Sequence, residues 1–310
     1  MSHAPYHRIR KFIILSLCAA GIYALIKIAQ LTFLSNTQVV SPLPQSPRKS
    51  SIVSYFFQKK KDPEDLKKVL KEKADAVWTT YSIVVEDYQS DFKIGINEHV
   101  MFTAASVNKL PILASLYYYA QKGEIDLDKT ITLQASDVQD YGTGSIRYDA
   151  PGTVYSIKTL AKLMIAQSDN TAAYILSNHV VGIDKIQKTM ENWGLTQTDM
   201  ANNKTSNSDM SILLRKMYQG NVVNQAYTQE MFAFLKDTDF EDRLPALLPS
   251  GVSAYHKIGT EIGVLHDVGI ITDGTQAYYI GIFTGDIKNE EETVKTIGAI
   301  SKDVYDFMKN

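Results

Sequence analysis

A single cysteine, Cys18, among 310 residues excludes any intrachain disulfide, so the fold has to be held by packing. The lack does not exclude an extracellular location, because a chain of this length, 45% hydrophobic, can bury a large core without staples. The six histidines show no metal-ligand spacing and there is no glycine-rich phosphate loop, so neither a metal nor a cofactor is expected. Acidic residues are missing from the first 61 positions, which carry nine Lys or Arg. All 34 acidic residues follow, against the other 23 basic ones. An acidic domain argues against nucleic acid as a partner, since phosphates demand a basic face.

What the amino terminus does contain is Arg8, Arg10 and Lys11 ahead of an apolar stretch over residues 12–34, interrupted by Lys27. Basic residues followed by an apolar run read as a secretory signal or signal-anchor, with the basic end left in the cytoplasm. All 23 positions together would span a bilayer, and Lys27 can snorkel toward the outer interface. Residues 1–34 are therefore expected to export the chain and to tether it to the membrane. Residues 35–62 have linker composition, with Pro42, Pro44 and Pro47 and a closing Lys59-Lys60-Lys61. The folded domain is expected over residues 63–310, as a monomer.

Asp62 as N-cap and Pro63 at the first helical position predict a helix with apolar residues at Leu66, Val69, Leu70, Ala74 and Val77. Residues 81–85 and 92–96 read as a β-hairpin. Helical periodicity then runs over residues 159–167, 171–178, 184–192, 208–218 and 228–236. Strands return at 254–258, 267–272 and 277–284, and a last helix over 290–309 places Val294, Ile297, Ile300, Val304 and Phe307 on one face. Strands at both ends with helices between predict an α/β (α+β) fold. Its one antiparallel sheet is made by both ends of the domain, with an all-helical subdomain inserted.

Three segments carry chemistry. Ser106-Val107-Asn108-Lys109 opens the apolar helical run over residues 110–120. Residues three apart on a helix share a face, so Lys109 can reach the Ser106 hydroxyl and act as its base once burial keeps the amine neutral. Serine and lysine three apart recur at Ser46/Lys49 and Ser90/Lys93; only Ser106 sits at such a helix start. The second segment is Ser168-Asp169-Asn170, between two helical patterns, and the third is His256-Lys257-Ile258-Gly259-Thr260, on a strand. Read singly, each has a plain structural alternative: a serine cap, a polar capping loop, a strand with one charge.

Together and in this order they resemble the active site of the penicillin-recognising serine enzymes, and among them the class A β-lactamases; the resemblance covers residues 63–310. It implies a β-lactamase-like architecture with the site in the cleft between the halves. It implies Ser106 as nucleophile, Lys109 as its base, Ser168 as proton relay to the leaving nitrogen with Lys257 beside it, and a structural Asp169. Asn170 would bond the substrate's acyl-amide carbonyl, and Gly259 would leave room for the ligand against the strand. The backbone N–H groups of Ser106 and Thr260 map onto the oxyanion hole. Tyr141 falls where the family often puts an aromatic at the cleft mouth. The implied substrates are β-lactams or acyl-D-Ala-D-Ala-like ends of cell-wall peptides.

Two departures stand out. Ile258 replaces a hydroxyl that family members use on the substrate carboxylate, leaving Thr260 or His256 to compensate. The loop that carries the deacylating glutamate of class A enzymes is shortened to residues 195–205, where Asp199 is the sole carboxylate, too short and wrongly offset to place a water. Acylation is therefore expected to outrun deacylation. A non-catalytic wall-binding or sensor domain and a serine–lysine amidase or esterase on another substrate are the rival readings.

Overall fold

The computed structural model describes residues 62–309. The expected leader and all but the last residue of the expected linker lie outside them. No helix among the described residues is long and apolar enough to cross a membrane.

Helix α1 (Pro63–Asp75) begins as its sequence dictates. The Asp62 side chain accepts the Glu64 N–H at 3.0 Å, Pro63 occupies the first turn, and Leu66, Leu70 and Ala74 are buried at four-residue spacing. Strands β1 (Thr80–Asp87) and β2 (Lys93–Ile96) form the expected hairpin. A short β3 (Met101–Thr103) leads into a 3-10 turn, Ala105–Asn108, and helix α2 (Lys109–Gln121). The intervening chain holds a two-stranded pair, β4 (Thr130–Thr132) with β5 (Val154–Ser156), and helices α3 (Ile157–Ala166) and α4 (Asn170–Tyr174). The last continues as a π turn, Ile175–Val181, followed by α5 (Ile183–Asn192). Strand β6 (Lys204–Ser206) pairs with β3, and α6 (Asn207–Tyr218) and α7 (Gln225–Phe234) complete the helical part.

The chain then returns through β7 (Ser253–Glu261), β8 (Val264–Thr272) and β9 (Ala277–Gly285) to the closing helix α8 (Glu290–Lys309). The five-stranded sheet runs β2-β1-β9-β8-β7, antiparallel at every pairing. Both ends of the domain therefore build one sheet with the helices inserted between them, as the pattern of elements predicts; the insertion is not all-helical, because the pairs β3–β6 and β4–β5 lie within it. β7 is its edge.

One apolar layer, with Val107, Leu110, Leu113, Tyr117, Val268 and Phe283, joins the sheet to the helical subdomain; the other, with Leu66, Leu70, Ile83, Ile271, Ile297 and Val304, joins it to α1 and α8. On α8, Val294 and Phe307 lie half-buried at the margins of the stripe, and Met308 takes a buried place. Alternation along β7 sends Tyr255, Lys257 and Gly259 to the helical face and Ala254, His256 and Ile258 to the other. That parity decides which residues of the third motif can meet the first two.

Candidate active site

Ser106 and Lys109 do not share one regular α-helix. Ser106 lies in the 3-10 turn, half-buried, and Lys109 begins α2 with its N–H donating to the Ser106 carbonyl. Residues three apart eclipse on a 3-10 turn, but the Lys109 amine is bonded to Ser168 and Asn170 and not to the Ser106 hydroxyl. The turn is entered under strain. Six non-glycine residues of the described chain have positive φ, and four are Asn or Asp, which tolerate it; the exceptions are Ala105 (φ 48°) and Ser168 (φ 53°). Strain held by the surrounding packing at the two segments that meet here is a mark of a functional constellation.

Lys109 is buried, and its ammonium nitrogen Nζ donates to the Ser168 carbonyl at 2.6 Å, to Asn170 Oδ1 at 2.7 Å and to Ser168 Oγ at 3.2 Å. Burial lowers its pKa to about 7, against a smaller upward pull from Asp169. At pH 7 about half the molecules then carry a neutral amine, against about one in three thousand for an ordinary lysine. Lys257 reaches the same hydroxyl from β7, with Nζ 3.0 Å from Ser168 Oγ and 3.1 Å from the Ile258 carbonyl. Burial, with Lys109 nearby, depresses Lys257 well below the usual lysine value. Two lysines use both lone pairs of the Ser168 oxygen, which leaves its own proton to be donated elsewhere.

Asp169 is the N-cap of α4, accepting the Ala172 N–H at 2.8 Å through one oxygen and the Ile146 N–H at 2.9 Å through the other. Residues 141–146 are thereby fastened to the second motif. Asn170 donates to the Tyr141 carbonyl at 3.0 Å, Thr143 Oγ1 donates to the Ser168 carbonyl at 2.9 Å, and a Cβ on Gly144 would stand 2.2 Å from the Asp169 carboxylate. Tyr141 stands 65% exposed on this wall, with its backbone, not its ring, tied to Asn170.

Gly259 has a packing reason in this structure. A Cβ there would meet the Ala104 carbonyl at 2.9 Å and Val107 at 3.1 Å, so the glycine lets the 3-10 turn pack on β7. The His256 imidazole is not at liberty to compensate, whereas the exposed Thr260 hydroxyl accepts one bond and keeps its own proton to donate. His256 points to the opposite face, where Nδ1 meets Asp267 at 2.8 Å and Nε2 meets Glu241 at 3.3 Å. Burial acts to lower the His256 pKa, but Asp267, with Glu241, overrides it and raises the value to about 9. The Thr260 hydroxyl accepts from Arg243 at 2.6 Å, while the same buried guanidinium donates to the Gly259 and His266 carbonyls at 3.1 and 2.7 Å. Arg243 thus fixes the end of β7 that carries the Thr260 N–H.

Asp199 is turned to its own hairpin. Its oxygens accept the Asn202 N–H at 2.9 Å and the Asn202 amide at 2.8 Å, its backbone pairs with Lys204, and the Asn202 side chain holds its pKa below the usual carboxylate value. Glu191 lies on α5, bonded by Gln187 at 2.9 Å.

A chain that brings serine, two lysines and an asparagine together in this way, on this sheet, has recognisable relatives. The model of the Beta-lactamase enzyme family matches residues 63–308. The chain belongs to that family. It is a β-lactamase-like serine hydrolase at low identity to its relatives. It is 26% identical over 243 residues to the β-lactamase VEB-1 of Pseudomonas aeruginosa, covering 69% of this chain and 81% of the relative. A β-lactamase of Bacteroides uniformis is 28% identical over 242 residues, with the same coverage of each. Among solved structures, PBP-A superposes with a TM-score of 0.73 at 24% identity, over 79% of this chain and 96% of its own. A PBP-A variant solved as an acyl-enzyme complex with penicillin G superposes with a TM-score of 0.72 at 23% identity, over 85% and 99% of the two chains. These structural likenesses speak for the fold.

Proposed function

We propose that Ser106 is acylated by β-lactams, or by acyl-D-Ala-D-Ala-like peptide ends, and that the acyl-enzyme is hydrolysed slowly. The observation that carries this reading is the convergence of Lys109 and Lys257 on Ser168 Oγ, from segments 59 and 89 residues away. A structural capping loop has no use for two buried lysines. In the proposed step the neutral amine of Lys109 takes the Ser106 proton while Oγ attacks the carbonyl carbon. The backbone N–H groups of Ser106 and Thr260 receive the oxyanion. As the C–N bond breaks, Ser168 gives its proton to the leaving nitrogen and is reprotonated from the lysines that hold it. Asn170 takes the acyl amide.

The family membership and the penicillin G acyl-enzyme of a structural relative support the substrate class. The slow second half-reaction is supported by Asp199, whose oxygens already serve Asn202. Export with the catalytic domain outside the cytoplasm is inferred from Arg8, Arg10, Lys11 and the apolar run that follows. A reporter fused after Asn310 tests it, and full-length chain soluble in the cytoplasm would refute it.

The test of the chemistry is intact-mass analysis of the full chain mixed with penicillin G. A single adduct on Ser106, absent from Ser106→Ala, is the expected result. An adduct that survives in Ser106→Ala would refute the nucleophile. No adduct in the unaltered chain would favour a sensor domain, or, if simple esters turn over, an esterase.

A further inference from the structure

Arg147 lies in the short 3-10 turn Ile146–Tyr148 that ends the wall beside Asn170, next to the Ile146 N–H held by Asp169. It is half-buried, and its guanidinium lies over the Tyr148 ring at 4.8 Å. Nη1 donates to the Gly142 carbonyl at 2.8 Å and Nη2 to the Tyr148 hydroxyl at 2.6 Å. Gly142 also touches the second motif, since a Cβ there would stand 2.4 Å from Asn170 Nδ2. The guanidinium and the Asn170 amide therefore share one neighbour, and Asn170 Oδ1 is in turn 2.7 Å from Lys109 Nζ.

What this guanidinium lacks is a counter-charge. Among the described residues no carboxylate pairs with it, and Asp149, two positions on, is engaged by the Tyr155 hydroxyl. Its Nε is buried without a partner, but one N–H on each terminal nitrogen is left over once Gly142 and Tyr148 are served. Tyr148 is 76% exposed, so the pair stands at the surface of the wall and not in the core. A cation fixed by a stack and two bonds, and given no anion by the protein, is preorganised for an anion from outside.

We propose that Arg147, backed by Tyr148, is an outer subsite for a carboxylate at the far end of the substrate's acyl chain. This rests on the acyl-enzyme reading above and names the kind of acyl donor it takes: one whose flexible side chain ends in a carboxylate. Asn170 takes the acyl amide, and Gly142 separates that amide from the guanidinium. The carboxylate therefore has to sit several atoms beyond the amide, and one attached directly beside it falls short. Arg147 moves no proton in this scheme; it binds and orients the chain while Ser106, Lys109 and Ser168 keep the roles given above.

The test uses two penicillins that differ at one end, the hexanoyl and adipoyl amides of 6-aminopenicillanic acid, in which a terminal methyl becomes a carboxylate. Formation of the Ser106 adduct on the full chain is followed by intact mass for both and for penicillin G, well below saturation. The adipoyl compound is expected to react about tenfold faster than the hexanoyl one, the scale of a charge-assisted hydrogen-bonded pair. Arg147→Gln should abolish that preference and leave the hexanoyl and penicillin G rates within about twofold of normal. Arg147→Lys, which keeps the charge without the fork, is expected to fall between the two. Equal rates for the two amides in the unaltered chain, or a preference undiminished in Arg147→Gln, would overturn the subsite while a penicillin G adduct upholds the acyl-enzyme reading. A fall of all three rates together in Arg147→Gln would mark a structural role and overturn it as well. No adduct from any of the three in the unaltered chain would overturn the acyl-enzyme reading, and the subsite with it.

Discussion

The two sides of Ser106 are built differently. Toward Ser168, two buried lysines, a buried serine and a half-buried asparagine are bonded to one another by four contacts of 2.6–3.2 Å. Toward the 199–204 hairpin, the one carboxylate is bonded within its own turn and the groups that reach the nucleophile's flanks are neutral amides. The first side holds two amines whose pKa values burial lowers, that of Lys109 to about 7; on the second, the carboxylate of the hairpin is held below its usual value by Asn202. On the proposed reading, forming an acyl-enzyme uses the first side, and hydrolysing it quickly would need a base on the second.

Removing the base from the rich side should have the largest effect. Lys109→Ala is expected to slow adduct formation by several orders of magnitude, the usual cost of losing an activating group. Stopped mass measurements with penicillin G check it, and a loss below tenfold would break the contrast drawn here.

The rich side is also held from beneath. Asp267 accepts from His256 at 2.8 Å and from the Leu244 N–H at 3.0 Å, under the strand that carries Lys257. Asp267→Asn leaves the buried His256 with only the exposed Glu241 as counter-charge and is expected to cost about 3–5 kcal/mol, read from chemical denaturation. Because the His256 pKa is raised from 6.5 to about 9, its contribution is full below about pH 6.5 and is lost as pH rises through about 9. That decline should be weaker in Asp267→Asn, where Glu241 alone raises the imidazole pKa.

A third expectation concerns Lys109 itself. Its pKa is lowered to about 7, so the neutral base is scarce below that pH. The acylation rate should rise about tenfold per pH unit up to about 7 and level off above it. A rate independent of pH between 5 and 8 would contradict the role given to this amine. The smallest effect is expected at Asp199. Asp199→Asn should change adduct lifetime by less than about twofold, since the carboxylate is engaged by Asn202; a larger change would identify it as the missing base.

Much of the rich side was legible in the sequence because each piece is local. Serine and lysine three apart, a polar tripeptide between helices and a lysine before a strand glycine all declare themselves within a few residues. The sheet made from both ends was legible as well, from β-branched runs at 81–85 and 277–284. The supports were not. His256 and Asp267 meet across a hairpin, Arg243 reaches Thr260 from a loop, and Asn108 meets Asn203 across 95 residues. No periodicity encodes such pairs. Gly259 carries a constraint that its sequence context does not show, a close approach of the 3-10 turn, and β7 continues through it to Glu261. The compensation expected of His256 failed on parity, since neighbours on a strand face opposite ways.

The contrast between the two sides is tested most directly by rapid-mixing turnover of a chromogenic β-lactam on the full chain. The account predicts a burst equal to one product per enzyme, followed by a slow steady state whose rate matches the loss of the Ser106 adduct. Rapid multiple turnover with no burst and no detectable adduct would contradict it.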